Sequence, residues 1–367
     1  MTGVGRYAVE LLGGLAEKAR SGELRIRAAV LGSSVEDLRR VAELEGVEWV
    51  PVPWDYESHP SGDWALRFRI PKLVQEDEVY HAPAFILPGG KQPFRRVVTI
   101  HDLGVFKRPA DYPWKFGAYL RWRIRSAVKF ADRLIVPTNA VAEDLSGFLP
   151  QARDRVRVVH EAPTRIRIPA WEKETDLSQF QRSLPCKHFF LSIGTIERRK
   201  DPWSAARAME KLIRGSAGEA PEWVWIGGSG FQGQELIDKI KRSSVSGRFH
   251  FIGFQGEGNL DEALKRAAAL VYPSLDEGFG LPPLKAMALG IPAIVSDLPV
   301  LREVCGDAAL YFPQSDSESL AIVLRRVLTE PALVEELKDK GFKRVATFSW
   351  KKAALETVKV YSECGSA

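Results

Sequence analysis

The chain of 367 residues is 45% hydrophobic and 27% charged, which excludes a disordered or fibrous protein and, at this length, suits two domains with separate cores. No apolar run approaches the roughly 18 residues of a membrane span, and no basic start followed by an apolar stretch marks a signal peptide. The net charge of +5 permits contact with anionic lipid or phosphate without indicating nucleic acid, and the three scattered cysteines, Cys186, Cys305 and Cys364, suit neither a metal site nor a disulfide framework, which points to a reducing cytoplasm.

The chain opens Thr2-Gly3-Val4-Gly5-Arg6-Tyr7, after which Ala8, Leu11, Leu12 and Leu15 recur at helical spacing. Gly3 and Gly5 read either as a glycine loop opening that helix or as a frayed terminus. Such a loop normally follows a strand in a βαβ unit, and the expectation here is of a sheet lacking its first strand. An apolar run at Arg27–Leu31, a helix over Val35–Leu44 and a strand around Val47–Val52 come next. Tyr80-His81-Ala82-Pro83 reads as a strand end. The β-branched run Arg96–Ile100 reads as a buried strand. It delivers His101-Asp102-Leu103-Gly104 beyond its carboxyl end, where open α/β sheets bind ligands. A lone histidine is otherwise more often structural.

Between Lys107 and Arg133 stand eight Lys or Arg against two Asp, interleaved with Phe106, Tyr112, Trp114, Phe116, Tyr119, Trp122 and Phe130. The spacing predicts an amphipathic helix from Trp114 to Phe130. It reads equally as a core helix with a solvated basic face and as a surface that docks on anionic lipid. Ala131–Asn139 is then a strand, Ala140–Leu149 a helix and Val156–His160 the last strand of the first half. The charged, proline-containing segment Glu161–Pro185 reads as a linker.

Phe189–Ile193 opens the second half as a strand and ends in Gly194-Thr195-Ile196-Glu197-Arg198-Arg199-Lys200-Asp201. A strand, a glycine and a basic pair before the next helix suit a diphosphate, which takes Arg as a fork and Lys as a point charge. A solvated basic face is the plain alternative. Further strands are expected at Trp223–Ile226 and Phe249–Phe254, and a helix at Leu260–Arg266. The buried run Ala267–Tyr272 leads into Pro273-Ser274-Leu275-Asp276-Glu277-Gly278-Phe279-Gly280-Leu281-Pro282-Pro283-Leu284-Lys285-Ala286-Met287-Ala288. The two prolines suit a first helical turn, and Gly290 with Pro292 ends the helix. Strand, glycine loop and helix N-terminus together form a place for an anion. A carboxylate in the same loop accepts from hydroxyls, so the combination describes a nucleotide-sugar; a strand-to-helix turn of any α/β protein, its glycines used only for tight turning, is the plain alternative. Pro292–Asp297 is a strand, and helices at Ser317–Thr329, Pro331–Lys340 and from Phe348 onward complete the chain. There is no metal-ligand spacing and no Asp-x-Asp pair at a strand end.

The stretch from Pro273 to Ala288 resembles the donor-binding signature of retaining GT-B glycosyltransferases of family 4, P-S-x-x-E-G-F-G-L-P-x-L-E-A-M-A. The opening T-G-V-G-R-Y, the H-D-L after the fourth strand, the G-T-x-E-x-R-K run and the E-V-x-G-D-A-A run at Glu303–Ala309 resemble the same family in the same order. The resemblance implies two Rossmann-like, doubly wound α/β domains facing a cleft. Residues 1–165 would bind the acceptor, residues 166–346 would bind the donor, and 347–367 would form a helix crossing back to the first domain. It implies metal-independent, retaining transfer of a hexose from a nucleotide-sugar to a glycan or lipid-linked glycan hydroxyl. GDP-mannose is the first donor and a UDP-sugar the second; no cofactor is implied. His101, Glu277, Arg199 and Lys200 carry the catalytic roles. Gly3, Gly5, Asp102, Gly194, Thr195, Gly278, Phe279, Gly280, Leu281 and Lys285 line the donor site. A catalytically impaired paralogue and a GT-B epimerase or phosphorylase are the alternative readings. They rest on the absent first strand and on Lys285, which stands where the family has a glutamate for the donor ribose. By that resemblance Lys285→Glu would tighten donor binding about tenfold; a Lys285 that points to solvent from the helix, where the exchange changes nothing, is the plain alternative.

Overall fold

The computed structural model describes residues 3–31, 34–52, 68–164, 166, 177–185, 189–214 and 221–365. Part of the expected linker Glu161–Pro185, residues 165 and 167–176, therefore lies outside the described residues, as do Thr2 and Cys186. The chain divides into two compact units, one of Met1–Lys107, Trp114–Trp171 and Phe348–Ala367, the other of Arg108–Pro113 and Glu172–Thr347.

In the first unit, helix α1 (Gly3–Arg20) is followed by strand β1 (Ile26–Leu31), the short helix α2 (Val35–Arg39) and strands β2 (Val47–Val52), β3 (Val79–Ala82) and β4 (Arg95–Thr99). The short helix α3 (Gly104–Lys107) and the long α4 (Trp114–Phe130) lead to strand β5 (Arg133–Val136), helix α5 (Asn139–Phe148) and strand β6 (Val156–Val158). The helix expected over Val35–Leu44 is shorter. Val41 takes an extended backbone at φ −88° and ψ 109°, which lets Leu38, Val41 and Leu44 enter one apolar cluster with Val9 and Ile166. All strands run parallel, as β1-β2 and as β3-β4-β5-β6. Among the described residues no strand joins the two sets. Arg27 of β1 nonetheless reaches Glu78, next to β3, at 3.0 Å, and Ile26 and Val79 pack against the same core cluster.

The second unit begins with helix α6 (Leu177–Ser183) and continues as strand β7 (Phe189–Ile193), helix α7 (Pro202–Arg214), strand β8 (Glu222–Ile226), helix α8 (Gly233–Lys241) and strand β9 (Phe249–Gly253). Helix α9 (Glu257–Arg266), strand β10 (Ala269–Tyr272), helix α10 (Leu281–Ala288), strand β11 (Ala293–Ser296), helix α11 (Pro299–Cys305), strand β12 (Ala309–Phe312) and helices α12 (Ser317–Thr329) and α13 (Pro331–Val345) follow. The six strands form one parallel sheet in the order β12-β11-β10-β7-β8-β9. Apolar runs without alternation produce this, because both faces are covered. Phe190, Trp223, Trp225, Val271 and Ile294 pack on one side, and Phe189, Leu191, Val224 and Leu270 on the other. The order turns back between β7 and β10, with β8 and β9 running out to one side and β11 and β12 to the other. Ligands of doubly wound sheets bind outside the carboxyl ends of the strands at such a switch point.

The final helix, α14 (Trp350–Gly365), belongs to the first unit. The Trp350 indole donates to Pro163 O at 3.0 Å. Arg133 and Arg157 both hold the Glu363 carboxylate, each with an Nε at 2.9 Å. No helix among the described residues is long and apolar enough to cross a membrane.

Candidate functional site

The two loops that leave the sheet at its switch point are tied together by their backbones. Leu275 N–H, after β10, donates to Arg199 O, after β7, at 2.8 Å. Their charged side chains then converge. Lys200 Nζ donates to Glu277 and, at 2.9 Å, to the Tyr272 hydroxyl. Arg199 donates through Nη1 to Asp276 O at 3.0 Å and through Nη2 to Glu197 at 2.8 Å, and Nη1 also lies 3.6 Å from Glu277. Lys200 and Glu277 are 8% and 9% exposed, so their attraction is little screened. Burial pushes the Glu277 carboxyl upward, but Lys200 and Arg199 outweigh it and hold the group below its ordinary range. Two cations and two carboxylates thus face one another in these loops. A diphosphate arriving here would meet cations already aimed by Glu277 and Glu197.

Backbone geometry also fixes how these loops approach one another. A Cβ at Gly227, after β8, would lie 2.0 Å from Gly194 O and 2.5 Å from Gly194 C. Only glycine lets these two loops touch. Gly280 ends the β10 loop at φ +108° and stands just before α10. Two of the first three residues of α10 are Pro282 and Pro283, which have no N–H. Leu281 is therefore the donor that the first three residues of α10 can offer an anion. Phe279 is buried and Thr195 is exposed.

Lys285 lies one turn further along α10. Its ammonium contacts Glu257, the first residue of α9, and reaches Asp261 at 2.7 Å. Lys285→Glu would therefore act on these ion pairs as well as on any contact with a donor. The exchange would set a third carboxylate beside two others and break both ion pairs.

In the first unit, His101 follows β4 and is held at both ring nitrogens. Nδ1 lies 3.1 Å from Glu161 and Nε2 lies 2.8 Å from Pro83 O. Burial disfavours a charged ring, but Glu161 and the Pro83 carbonyl outweigh it and raise the histidine above its usual value. An acceptor at each ring nitrogen favours the protonated ring. The edge of this ring meets Tyr7 at 4.6 Å between centroids. Glu161 falls at the start of the linker expected from the sequence. Its position just beyond β6, on the edge where His101 leaves β4, was the available signal. Beneath His101, Thr99 Oγ1 joins Tyr7 Oη at 3.0 Å and His81 Nε2 at 2.9 Å. Burial, and then the neighbouring His101, push His81 down to about 3.

Other predicted residues take different places. Gly3 and Gly5 are helical in the first turn of α1, so no glycine loop precedes that helix among the described residues. Asp102 accepts from Gly104 N–H at 3.0 Å and so starts α3. On α4 the exposed side chains Lys115, Trp122, Arg125 and Lys129 share one face, while Arg123, Ile124, Ala127 and Val128 are buried. Trp114, Phe116 and Trp122 are among the most exposed large hydrophobic residues described.

Two family models match the chain. The Glycosyltransferase Family 4 model covers residues 1–162, and the Glycosyl transferases group 1 model covers residues 175–344. The chain is similar to the O-antigen chain mannosyltransferase B of Escherichia coli, 26% identical over 98% of this chain and 96% of that protein. It is also similar to the O-antigen chain mannosyltransferase RfbU of Salmonella typhimurium, 25% identical over 66% of this chain and 64% of that protein. Among solved structures, Anabaena HepE in complex with UDP and glucose has a TM-score of 0.69 at 14% identity, covering 98% of this chain and 96% of that one. Sucrose-phosphate synthase from Thermosynechococcus elongatus has a TM-score of 0.67 at 21% identity, covering 95% of this chain and 91% of that one. With both halves matched in order and the sheet of the second unit reversing between β7 and β10, the chain belongs to the group 1, family 4 glycosyltransferases of the GT-B fold.

Proposed function

We propose that the protein moves a hexose, mannose first among them, from a nucleoside-diphosphate sugar to a hydroxyl of a glycan or lipid-linked glycan, with retention of anomeric configuration. The observation that carries this reading is the cluster of Arg199, Lys200 and Glu277 at the switch point of the second unit. As the donor bond breaks, negative charge develops on the departing diphosphate. Fixed cations in a poorly hydrated site stabilise that charge without reorganising. Arg199 supplies a planar fork and Lys200 a point charge, so these side chains carry the electrostatic role without a metal ion. Glu277 keeps both in place between turnovers. His101, held as an imidazolium, contributes charge rather than a base. The mannosyl donor is supported by the O-antigen mannosyltransferase relatives, and a nucleotide-sugar by HepE, whose structure holds UDP and glucose.

Incubation with GDP-mannose or UDP-glucose, with and without a glycan acceptor, tests the reading. Acceptor-dependent transfer supports it. Nucleotide binding without turnover indicates an impaired paralogue, and donor conversion without acceptor indicates an epimerase.

We also place the protein in the cytoplasm at the inner membrane face, docked through α4. Its outward face carries Trp122 among Lys115, Arg125 and Lys129, with Trp114 and Phe116 exposed near its start. Basic side chains meet anionic headgroups while tryptophan enters the interface. The protein is expected to partition onto vesicles containing anionic lipid and to leave them as salt rises. Equal partition onto neutral and anionic vesicles at low salt removes this docking surface.

A further inference from the structure

Three loops at the carboxyl edge of the second unit's sheet are joined in a closed triangle. The first follows β7 and carries Arg199, Lys200 and Asp201. The second follows β10 and runs through Leu275 to Glu277. The third follows β12 and carries Gln314 and Ser315. The Leu275 N–H donates to Arg199 O at 2.8 Å. Gln314 Nε2 donates to Leu275 O at 2.8 Å. The Ser315 hydroxyl donates to Asp201 Oδ2 at 3.1 Å, while Asp201 Oδ1 accepts from Ser204 N–H, in the first turn of α7, at 3.2 Å. Each loop is thus tied to both of the others.

The backbone marks the same junction. Among the described residues three positions other than glycine have a positive φ: Asp201 at 46°, Gln232 at 57° and Ser315 at 59°. Two of these three are partners in one hydrogen bond. A side chain makes this left-handed conformation unfavourable, and it persists where the surroundings over-determine it. Asp201 directly follows Lys200, so its turn sets the direction from which the lysine starts. That side chain must then bring its ammonium to both Tyr272 and Glu277. Asp201 is 9% exposed, so little water competes for the carboxylate that fixes the turn.

We infer that Ser315, with Gln314 beside it, is a positioning residue for sugar transfer: the β12 loop, which carries none of the clustered charges, holds the β7 and β10 loops so that Lys200 is aimed before the donor arrives. This inference rests on the nucleotide-sugar reading and adds a third loop to its machinery. A preorganised cation acts on charge that develops as the donor bond breaks. A loosened one must be reoriented at that moment, so the loss falls on kcat more than on donor KM.

The test follows release of nucleoside diphosphate from GDP-mannose or UDP-glucose in the presence of a glycan acceptor, together with melting midpoints. Ser315→Ala removes the hydroxyl and keeps the unfavourable φ. Ser315→Gly removes the hydroxyl but suits that φ, so its midpoint is expected near wild type and it reports even if Ser315→Ala folds poorly. Both are expected to lower kcat about fivefold, as for one hydrogen bond to a charged group, with donor KM little changed. The Gln314→Ala/Ser315→Gly double variant is expected to fall further. In a Lys200→Met background the Ser315→Gly change is expected to have little further effect, because residues that act through one another are not additive. Wild-type kcat in both Ser315 variants, a loss confined to KM, or the full loss repeated in the Lys200→Met background overturns the inference and leaves the donor reading intact. No release from either donor by wild type overturns the donor reading and this inference with it.

Discussion

Replacing Lys200 with methionine is expected to slow sugar transfer roughly 30- to 1,000-fold, the loss that follows removal of one preorganised contact to developing charge, about 2–4 kcal/mol. The same change leaves Glu277 buried with Arg199 as its remaining cation, and breaking a buried ion pair by removing one partner costs about 3–5 kcal/mol of stability. Activity and folding would then fall together. The double variant Lys200→Met/Glu277→Gln separates them. It removes both charges from the pair, so the thermal midpoint should return toward wild type while transfer stays slow. Steady-state rates and melting curves on the two variants make the comparison. Wild-type rates in the double variant would show that Lys200 only neutralises Glu277. Arg199→Ala is expected to act in the same direction, because its fork lies beside the same carboxylate.

Gly227→Ala is expected to destabilise the second unit by about 3 kcal/mol or more, near the upper end for overpacked sites. The new methyl group would overlap Gly194 O, which is backbone and has no flexible end to yield. The displacement passes into the loop that carries Arg199 and Lys200, so donor affinity should fall with stability. Gly228→Ala is the internal control. No atom lies within 4 Å of its added Cβ, and reduced freedom of the unfolded chain makes that change neutral or slightly stabilising. Denaturant midpoints for the two variants decide the matter. Equal midpoints would mean that the β7 and β8 loops part more easily than their contact implies.

How much of this was legible in the sequence depended on the range of each interaction. The β7 and β10 strands were read from short apolar runs, because a parallel strand covered on both faces needs no alternation. Arg199, Lys200 and Glu277 were read from the local spacing of loop and helix. Their mutual pairing was not, since Lys200 and Glu277 stand 77 positions apart and meet only because the sheet reverses between β7 and β10. The same holds for Glu161, 60 positions from His101, and for Glu257, 28 positions from Lys285. A lysine in place of a glutamate looked like a lost contact while its partners were out of view. The helix over Val35–Leu44 was overextended for a different reason. Its apolar spacing fitted a helix, but burying Val41 beside Leu38 and Leu44 required an extended residue between two short turns. At Gly3 and Gly5 composition suggested a loop, yet both residues continue α1.

The central claim is retaining transfer of a hexose from a nucleotide-sugar, and the anomeric configuration of the product tests it most directly. GDP-mannose carries an α-linked sugar. After transfer to a glycan acceptor, the one-bond C1–H1 coupling of the new residue distinguishes α from β. The account predicts an α-linked product whose formation requires Lys200 and Arg199. A β-linked product would contradict it.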